Sequence, residues 1–153
     1  MKQSSMFPET KPSQAQPAVI ANIDGGARGN PGPAAYGVVI RNSKGEVLAE
    51  LSEYLGLQTN NFAEYSGLLA ALEFAVRGKH PSLKIYSDSE LLVRQMHGRY
   101  KVRNFTLQDL FARAQSLVRK LQFFSIEHVL RESNKEADRL VNKTLDERAR
   151  GGG

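Results

Sequence analysis

The chain of 153 residues contains no cysteine. That excludes disulfides, thiolate zinc sites, iron–sulfur clusters and a cysteine nucleophile together. It leaves the compartment open, because cytosolic and secreted chains can both lack cysteine. No apolar run approaches the roughly 18 residues of a membrane-spanning helix, so no membrane partner is expected. No apolar stretch of about 7–15 residues follows Lys2, so the N-terminus does not read as a secretory signal, and a cytoplasmic protein is the expectation. Gly25, Gly26, Gly29 and Gly32 lie close together, yet neither a Walker lysine nor a dinucleotide fingerprint accompanies them. There is no internal repeat and no sign of a second domain.

What is present is ordinary for a globular domain: 41% apolar and 24% charged residues. A chain of this size buries roughly 68–70% of its unfolded surface and can build a core without staples. The net charge of +5 and pI near 9.6 favour a polyanionic partner, although a modest excess also occurs in proteins without one. Residues 1–17 hold three prolines, few large apolar residues and polar filler, the composition of a disordered tail. Residues 18–149 are expected to form a single domain, and 150–153 a flexible C-terminus. A monomer is expected.

Hydrophobic spacing gives the element order. Val19–Asp24 is short, apolar and β-branched. Tyr36–Arg41 and Val47–Tyr54 flank Asn42-Ser43-Lys44-Gly45, a turn signal, and read as an antiparallel hairpin. From Asn61 to Arg77 the period switches to helical, with Tyr65, Leu68, Leu69, Leu72, Ala75 and Val76 on one face. Gly78 and Pro81 end it. Leu83–Asp88 is a strand and Glu90–His97 a short helix. Thr106 to Leu121 carries the clearest apolar stripe, and Thr106 with Asp109 forms a capping pair. Phe123–Leu130 is a fifth strand. Ser133 with Glu136 caps a last helix bearing Ala137, Leu140, Val141 and Leu145. The order β-β-β-α-β-α-α-β-α implies an α/β fold, a five-stranded mixed sheet with helices on both faces.

Four carboxylates stand at the ends of these elements. Asp24 ends the first strand and Asp88 the fourth. Glu64 lies early in the first long helix, and Asp138 sits beside Ala137 in the last. A carboxylate near a core is expensive, and several together repel unless a cation holds them. An all-oxygen cluster suits Mg²⁺ or Mn²⁺ rather than zinc. Each acid also has a local reading. Asp24 could shape a turn, Glu64 complete a capping box with Asn61, Asp88 cap the next helix, and Asp138 pair with Arg139 or Arg131.

Four segments resemble ribonuclease H of type 1. They are IDGGARGNPGPAAYGVVI (Ile23–Ile40), TNNFAEYSGLLAAL (Thr59–Leu72), YSDSELL (Tyr86–Leu92) and ESNKEADRL (Glu132–Leu140). The likeness is collinear over roughly residues 18–148. It implies a ribonuclease H-like fold and an endonuclease that hydrolyses the RNA strand of RNA–DNA hybrids with two Mg²⁺ ions, Mn²⁺ being possible. The products would carry 5′-phosphate and 3′-hydroxyl ends. The resemblance makes Asp24, Glu64, Asp88 and Asp138 both catalytic and metal-binding. Asp24 would bridge both ions, Asp138 would help hold the ion carrying the attacking water, and Glu64 and Asp88 the ion at the leaving oxygen.

The same resemblance makes Asn30, Asn60 and Asn61 contacts to the hybrid and Thr59 a contact to a DNA phosphate. Turn chemistry and helix capping are the alternatives for these four. Three departures stand out. Glu90 replaces the glutamine many members carry. The loop before the last helix reads Leu130-Arg131-Glu132-Ser133, without the histidine of many bacterial members, so Arg131 becomes the candidate for leaving-group or product handling; a surface salt bridge is the alternative. The basic insertion between the second and third long helices is missing. Arg94, Arg99, Lys101 and Arg103, with Tyr100 among them, could form a smaller phosphate-binding patch or a solvated loop. An inactive nucleic-acid-binding module and a resolvase- or transposase-type metal nuclease on the same fold remain alternative functions.

Overall fold

The structure is a computed structural model that describes residues 18–151. The tail expected over 1–17, and Gly152 and Gly153, lie outside the described residues. Five strands form one sheet: β1 (Val19–Ala27), β2 (Gly32–Arg41), β3 (Val47–Gln58), β4 (Ser82–Ser87) and β5 (Phe123–His128). Their order is β3-β2-β1-β4-β5. The first three strands pair antiparallel, whereas β1, β4 and β5 run parallel.

The helices are α1 (Asn60–Arg77), α2 (Glu90–Met96), α3 (Phe105–Val118) and α4 (Lys135–Gly151). The first three cover one face. There Ala21, Ile23, Val38 and Ile40 of the sheet pack with Leu68, Leu72 and Ala75 of α1 and Leu110 and Ala114 of α3. On the other face Ala35 packs with Val141 and Leu145 of α4. Alternation along β1 and β2 feeds both layers, because side chains two apart share a face. The expected mixed sheet with helices on both faces is what forms.

Two glycines let the layers approach closely. A Cβ on Gly25 would lie 2.3 Å from the carbonyl carbon of Ala63 in α1. On the opposite face, a Cβ on Gly37 would lie 2.5 Å from the carbonyl oxygen of Ala137 in α4. Gly25 follows Asp24, and Gly37 is the register partner of Asp24 on β2. Both helices are therefore drawn onto the sheet beside one aspartate, one residue ahead of Glu64 and Asp138 respectively.

Several boundaries differ from the sequence expectation. Asn104, not Thr106, caps α3: its Oδ1 accepts from the Leu107 N–H at 3.0 Å, so Thr106 lies inside the helix. Ser133 closes a single 3₁₀ turn, Arg131–Ser133, and α4 begins only at Lys135, which takes Ser133 away from the capping position. Strand β5 stops at His128, short of Leu130. Helix α4 runs through Arg150 and Gly151, where a flexible end was expected. Strands β1, β2 and β3 are longer than their apolar runs, because ladder pairing extends through the glycine-rich segment, as in Ala27↔Ala34 and Gly32↔Gln58.

Candidate active site

The β1–β4 ladder ends at Ile23↔Ser87. Asp24 and Asp88 are the next residues along the two segments, so they emerge side by side where the parallel strands part. This is the carboxyl end of the parallel strands, where open α/β sheets place ligands. Glu64 arrives from α1 and Asp138 from α4. All four line one cleft of ≈ 460 Å³ together with Asn60, Asn61, Ser89, Glu90, Arg131 and Asn142.

The local readings of the four acids lose their support. Thr59 caps α1, accepting from the Phe62 N–H at 3.1 Å, and the Glu64 carboxylate instead accepts from Ser89 Oγ at 3.0 Å. Ser89, not Asp88, caps α2: its Oγ also accepts from the Leu92 N–H at 3.2 Å. Asp24 lies within a strand, its Oδ1 accepting from the Gly25 N–H at 2.9 Å. Asp138 accepts from Asn142 Nδ2 at 3.3 Å. Among the described residues none of the four forms an ion pair with a lysine, arginine or histidine.

Crowding without a cationic partner has an electrostatic cost. Burial first, then the charge of Asp88 and the proximity of Asp138, push Asp24 up to about 8, against which the Gly25 N–H works. Burial raises Glu64 to about 7; the Ser89 hydroxyl opposes that rise and Asp88 adds to it. The interactions run in a row: Asp138 beside Asp24, Asp24 beside Asp88, Asp88 beside Glu64. Among the described residues no three acidic or histidine side chains are gathered into one metal-ion site. The donors form a row rather than a cage.

The rim is built from asparagines. Asn30 Oδ1 accepts from the Asn60 N–H at 2.9 Å, and Asn60 Oδ1 accepts from the Ala27 N–H at 2.8 Å. Together they tie the β1–β2 connection to the start of α1. Each carbonyl oxygen is thus engaged as an acceptor, and the amide NH₂ groups are the donors these side chains have to offer. Asn61 lines the cleft directly. Thr59 serves as a cap, and Asn30 and Thr59 stand outside the cleft lining. Glu90 lines the cleft and pairs with Arg94 one turn on. Arg131 lines it too, exposed and in no ion pair among the described residues.

Arg94 also stacks over Tyr100, 5.4 Å from the ring centroid; Arg99, Lys101 and Arg103 are exposed. Sequence reasoning did not assign Ser89 or Asn142. Ser89 lies inside the YSDSELL segment, but only the fold brings its hydroxyl to Glu64.

Comparison with known proteins accords with this geometry. The family model for reverse transcriptase-like proteins matches residues 22–144. The bifunctional protein Rv2228c of Mycobacterium tuberculosis is 43% identical over 129 residues, 84% of this chain and 35% of that protein. The chain thus spans about a third of the length of the first curated relatives it matches. The solved N-terminal RNase H domain of Rv2228c superposes with a TM-score of 0.85 at 41% identity, covering 90% of this chain and 99% of that one. LC11-RNase H1, isolated from compost and solved in complex with an RNA/DNA hybrid, gives 0.79 at 43% identity over 84% of this chain and 97% of that one. Ribonuclease H of Methylococcus capsulatus is 30% identical over 149 residues, 88% of this chain and 94% of that protein. With the family model spanning the body and this last relative matched over nearly its whole length, the chain belongs to the ribonuclease H family.

Proposed function

We propose that this protein hydrolyses the RNA strand of RNA–DNA hybrids as a two-metal-ion endonuclease. The observation that carries the reading is the row of four carboxylates, on or directly beside four different elements, lining one cleft with no cationic side chain among the described residues paired to any of them. Such a row is costly for the fold by itself and matches the hard-oxygen preference of Mg²⁺ or Mn²⁺. Neighbouring acids in the row would hold the two ions. Asp24 is central and would contribute to both positions, Asp138 to one, and Asp88 and Glu64 to the other.

When bound, two such ions supply an activated water, neutralise charge on the phosphate and stabilise the leaving alkoxide. The bond made is between the water oxygen and phosphorus; the bond broken is phosphorus to O3′. The oxygen ends on a 5′-phosphate, and O3′ takes up a proton to become a hydroxyl. The protein's own part is to fix geometry. Ser89 holds Glu64, Asn142 holds Asp138, and the glycine contacts fix α1 and α4 against Asp24.

The asparagine rim supports the choice of RNA. Asn30, Asn60 and Asn61 present amide donors that can meet 2′-hydroxyls or minor-groove acceptors, and the 2′-hydroxyl is what distinguishes RNA from DNA. By the family resemblance Thr59 would contact a DNA phosphate and Arg131 would handle the product; Arg131 lines the cleft, whereas Thr59 caps α1 beside it. Glu90 can accept from a 2′-hydroxyl but repels a phosphate. The solved hybrid complex of LC11-RNase H1 is consistent with this substrate. That substrate also supports a cytoplasmic site of action.

The test is a labelled RNA–DNA hybrid incubated with Mg²⁺, Mn²⁺ or EDTA, comparing wild type with Asp24→Asn. Metal-dependent cleavage of the RNA strand, lost in Asp24→Asn, is expected. Binding without cleavage under both metals would leave a recognition module, and cutting of all-DNA junctions would leave a resolvase-type nuclease.

A further inference from the structure

Asn134 is the least exposed polar residue among the described residues, at 1% of its surface. A buried amide costs stability unless its donors and acceptor are used. Here they are used in an unusual direction. An asparagine immediately before a helix ordinarily turns its Oδ1 onto an N–H of the first turn. Asn134 precedes α4, yet its side chain crosses to β1. Its Nδ2 donates to the Ile23 carbonyl at 2.8 Å, and its Oδ1 accepts from Asn22 Nδ2 at 3.0 Å. Both partners lie more than 110 positions away in sequence and directly precede Asp24.

The backbone of Asn134 completes the connection. Its carbonyl accepts from the Asp138 N–H at 3.1 Å, and its own N–H donates to the Arg131 carbonyl at 2.9 Å. A short chain of hydrogen bonds therefore runs from the peptide before Asp24, through the Asn134 amide, to the peptide of Asp138. It spans the gap between strand and helix just where the two carboxylates stand side by side.

We infer that Asn134 is a positioning residue: with Asn22 it sets the separation of Asp24 from Asp138, and thereby the affinity for a divalent cation held between them. This rests on the two-ion reading above. A residue needed only for packing would serve equally well as a buried apolar side chain. The bridge instead commits both ends of an amide to the segment that carries Asp24.

The test uses the full chain without substrate and measures Mn²⁺ binding by calorimetry and by electron paramagnetic resonance. Asn134→Ala is expected to weaken Mn²⁺ binding about 10–100-fold, the range found when partners that orient metal ligands are removed. Asn22→Ala keeps the bond to Ile23 and is expected to weaken binding in the same direction but less. With a hybrid substrate, KM is expected to stay within about twofold, while the Mg²⁺ concentration for half-maximal rate rises in step with the loss of Mn²⁺ affinity.

Leu110→Ala, in the core on the opposite face of the sheet, is the control. It is expected to lower the melting temperature while leaving Mn²⁺ affinity unchanged. Asn134→Ala and Asn22→Ala behaving like Leu110→Ala would overturn the proposal. If Asn134→Ala does not fold, unchanged Mn²⁺ affinity in Asn22→Ala overturns it alone. Equal Mn²⁺ binding by wild type and Asp24→Asn would overturn the two-ion reading and this inference with it, an outcome distinguishable from failure of the bridge alone.

Discussion

The carboxylate cleft and the basic loop between α2 and α3 are opposites in charge and in construction. In the cleft each acid sits on or directly beside a strand or helix, partly buried, and three of the four accept a hydrogen bond from a neighbouring N–H or hydroxyl. In the loop, Arg99, Lys101 and Arg103 stand in solvent. The loop is tied to the body by Gln95, which donates to the Lys101 carbonyl at 3.3 Å, by Gln108, which donates to the Val102 carbonyl at 2.9 Å, and by Arg94, whose carbonyl accepts from the Arg99 N–H at 2.9 Å and whose guanidinium stacks over Tyr100. Like charges are concentrated in the cleft, where low polarisability magnifies them, and spread out in the loop, where water and salt screen them. Chemistry that depends on placement within a fraction of an ångström belongs in the first setting, and sequence-independent attraction of a polyanion in the second.

The sharpest way to break that contrast is at its centre. Asp24→Asn is expected to reduce hybrid cleavage about a thousandfold or more, since the hub of the row supplies several kcal/mol of transition-state stabilisation. Single-turnover rates at saturating Mg²⁺ measure this, and a loss below about tenfold would show that the row is not the reactive centre.

Next come the glycines. Gly25→Ala would force a methyl group into backbone atoms of α1, and Gly37→Ala into those of α4. Each is expected to destabilise the fold by about 2–3 kcal/mol or more, a drop of about 5–10 °C in melting temperature. Gly45, whose added Cβ meets nothing within 4 Å, lacks this steric conflict; alanine there faces only the strain of a positive φ of 86°. Comparable losses at all three positions would count against the close approach as the cause.

The third effect is pH-dependent. In metal-free protein Asp24 is held up to about 8 and Glu64 up to about 7, whereas the unfolded chain releases these protons near pH 4. Folded values above unfolded ones mean that stability from these groups is complete below about pH 4 and is lost as pH rises through about 7 to 8. In EDTA the melting temperature of wild type is expected to fall from about pH 5.5 to 8.5 more steeply than that of Asp24→Asn, and Mg²⁺ at the upper pH is expected to reverse the loss. Parallel slopes for the two proteins would contradict the crowding.

The smallest effect lies in the loop. Replacing Arg99, Lys101 and Arg103 with glutamine is expected to lower the slope of log affinity against log salt by up to about 2–3, about 0.9 for each phosphate left without its cationic partner. The rate at saturating hybrid should be unchanged. An unaltered slope would mark the loop as a solvated surface only.

Much of this protein is legible in the order of its residues. Apolar periodicity is a local property, and it places five strands and four helices in the right order. The four acids are legible because each falls in a short, distinctive segment. Capping is harder to read. Thr106–Asp109 and Ser133–Glu136 both have the right spacing, but Asn104 and the 3₁₀ turn over Arg131–Ser133 occupy the helix starts. A cap depends on where the chain first turns, and tertiary contacts set that point.

The linear chain alone determined the alternation of faces, the all-oxygen donor set and the absence of thiol chemistry, since these depend on residue type and near-neighbour spacing. Only the tertiary structure decided that Gly25 and Gly37 would seat two helices against opposite faces of one sheet, that Ser89 would reach Glu64, and that Asn134 would bind Ile23 rather than cap its own helix. The Asn134–Ile23 bond joins residues 111 positions apart. Such links exist because close packing brings distant backbone groups within hydrogen-bonding range, and no local pattern encodes that distance.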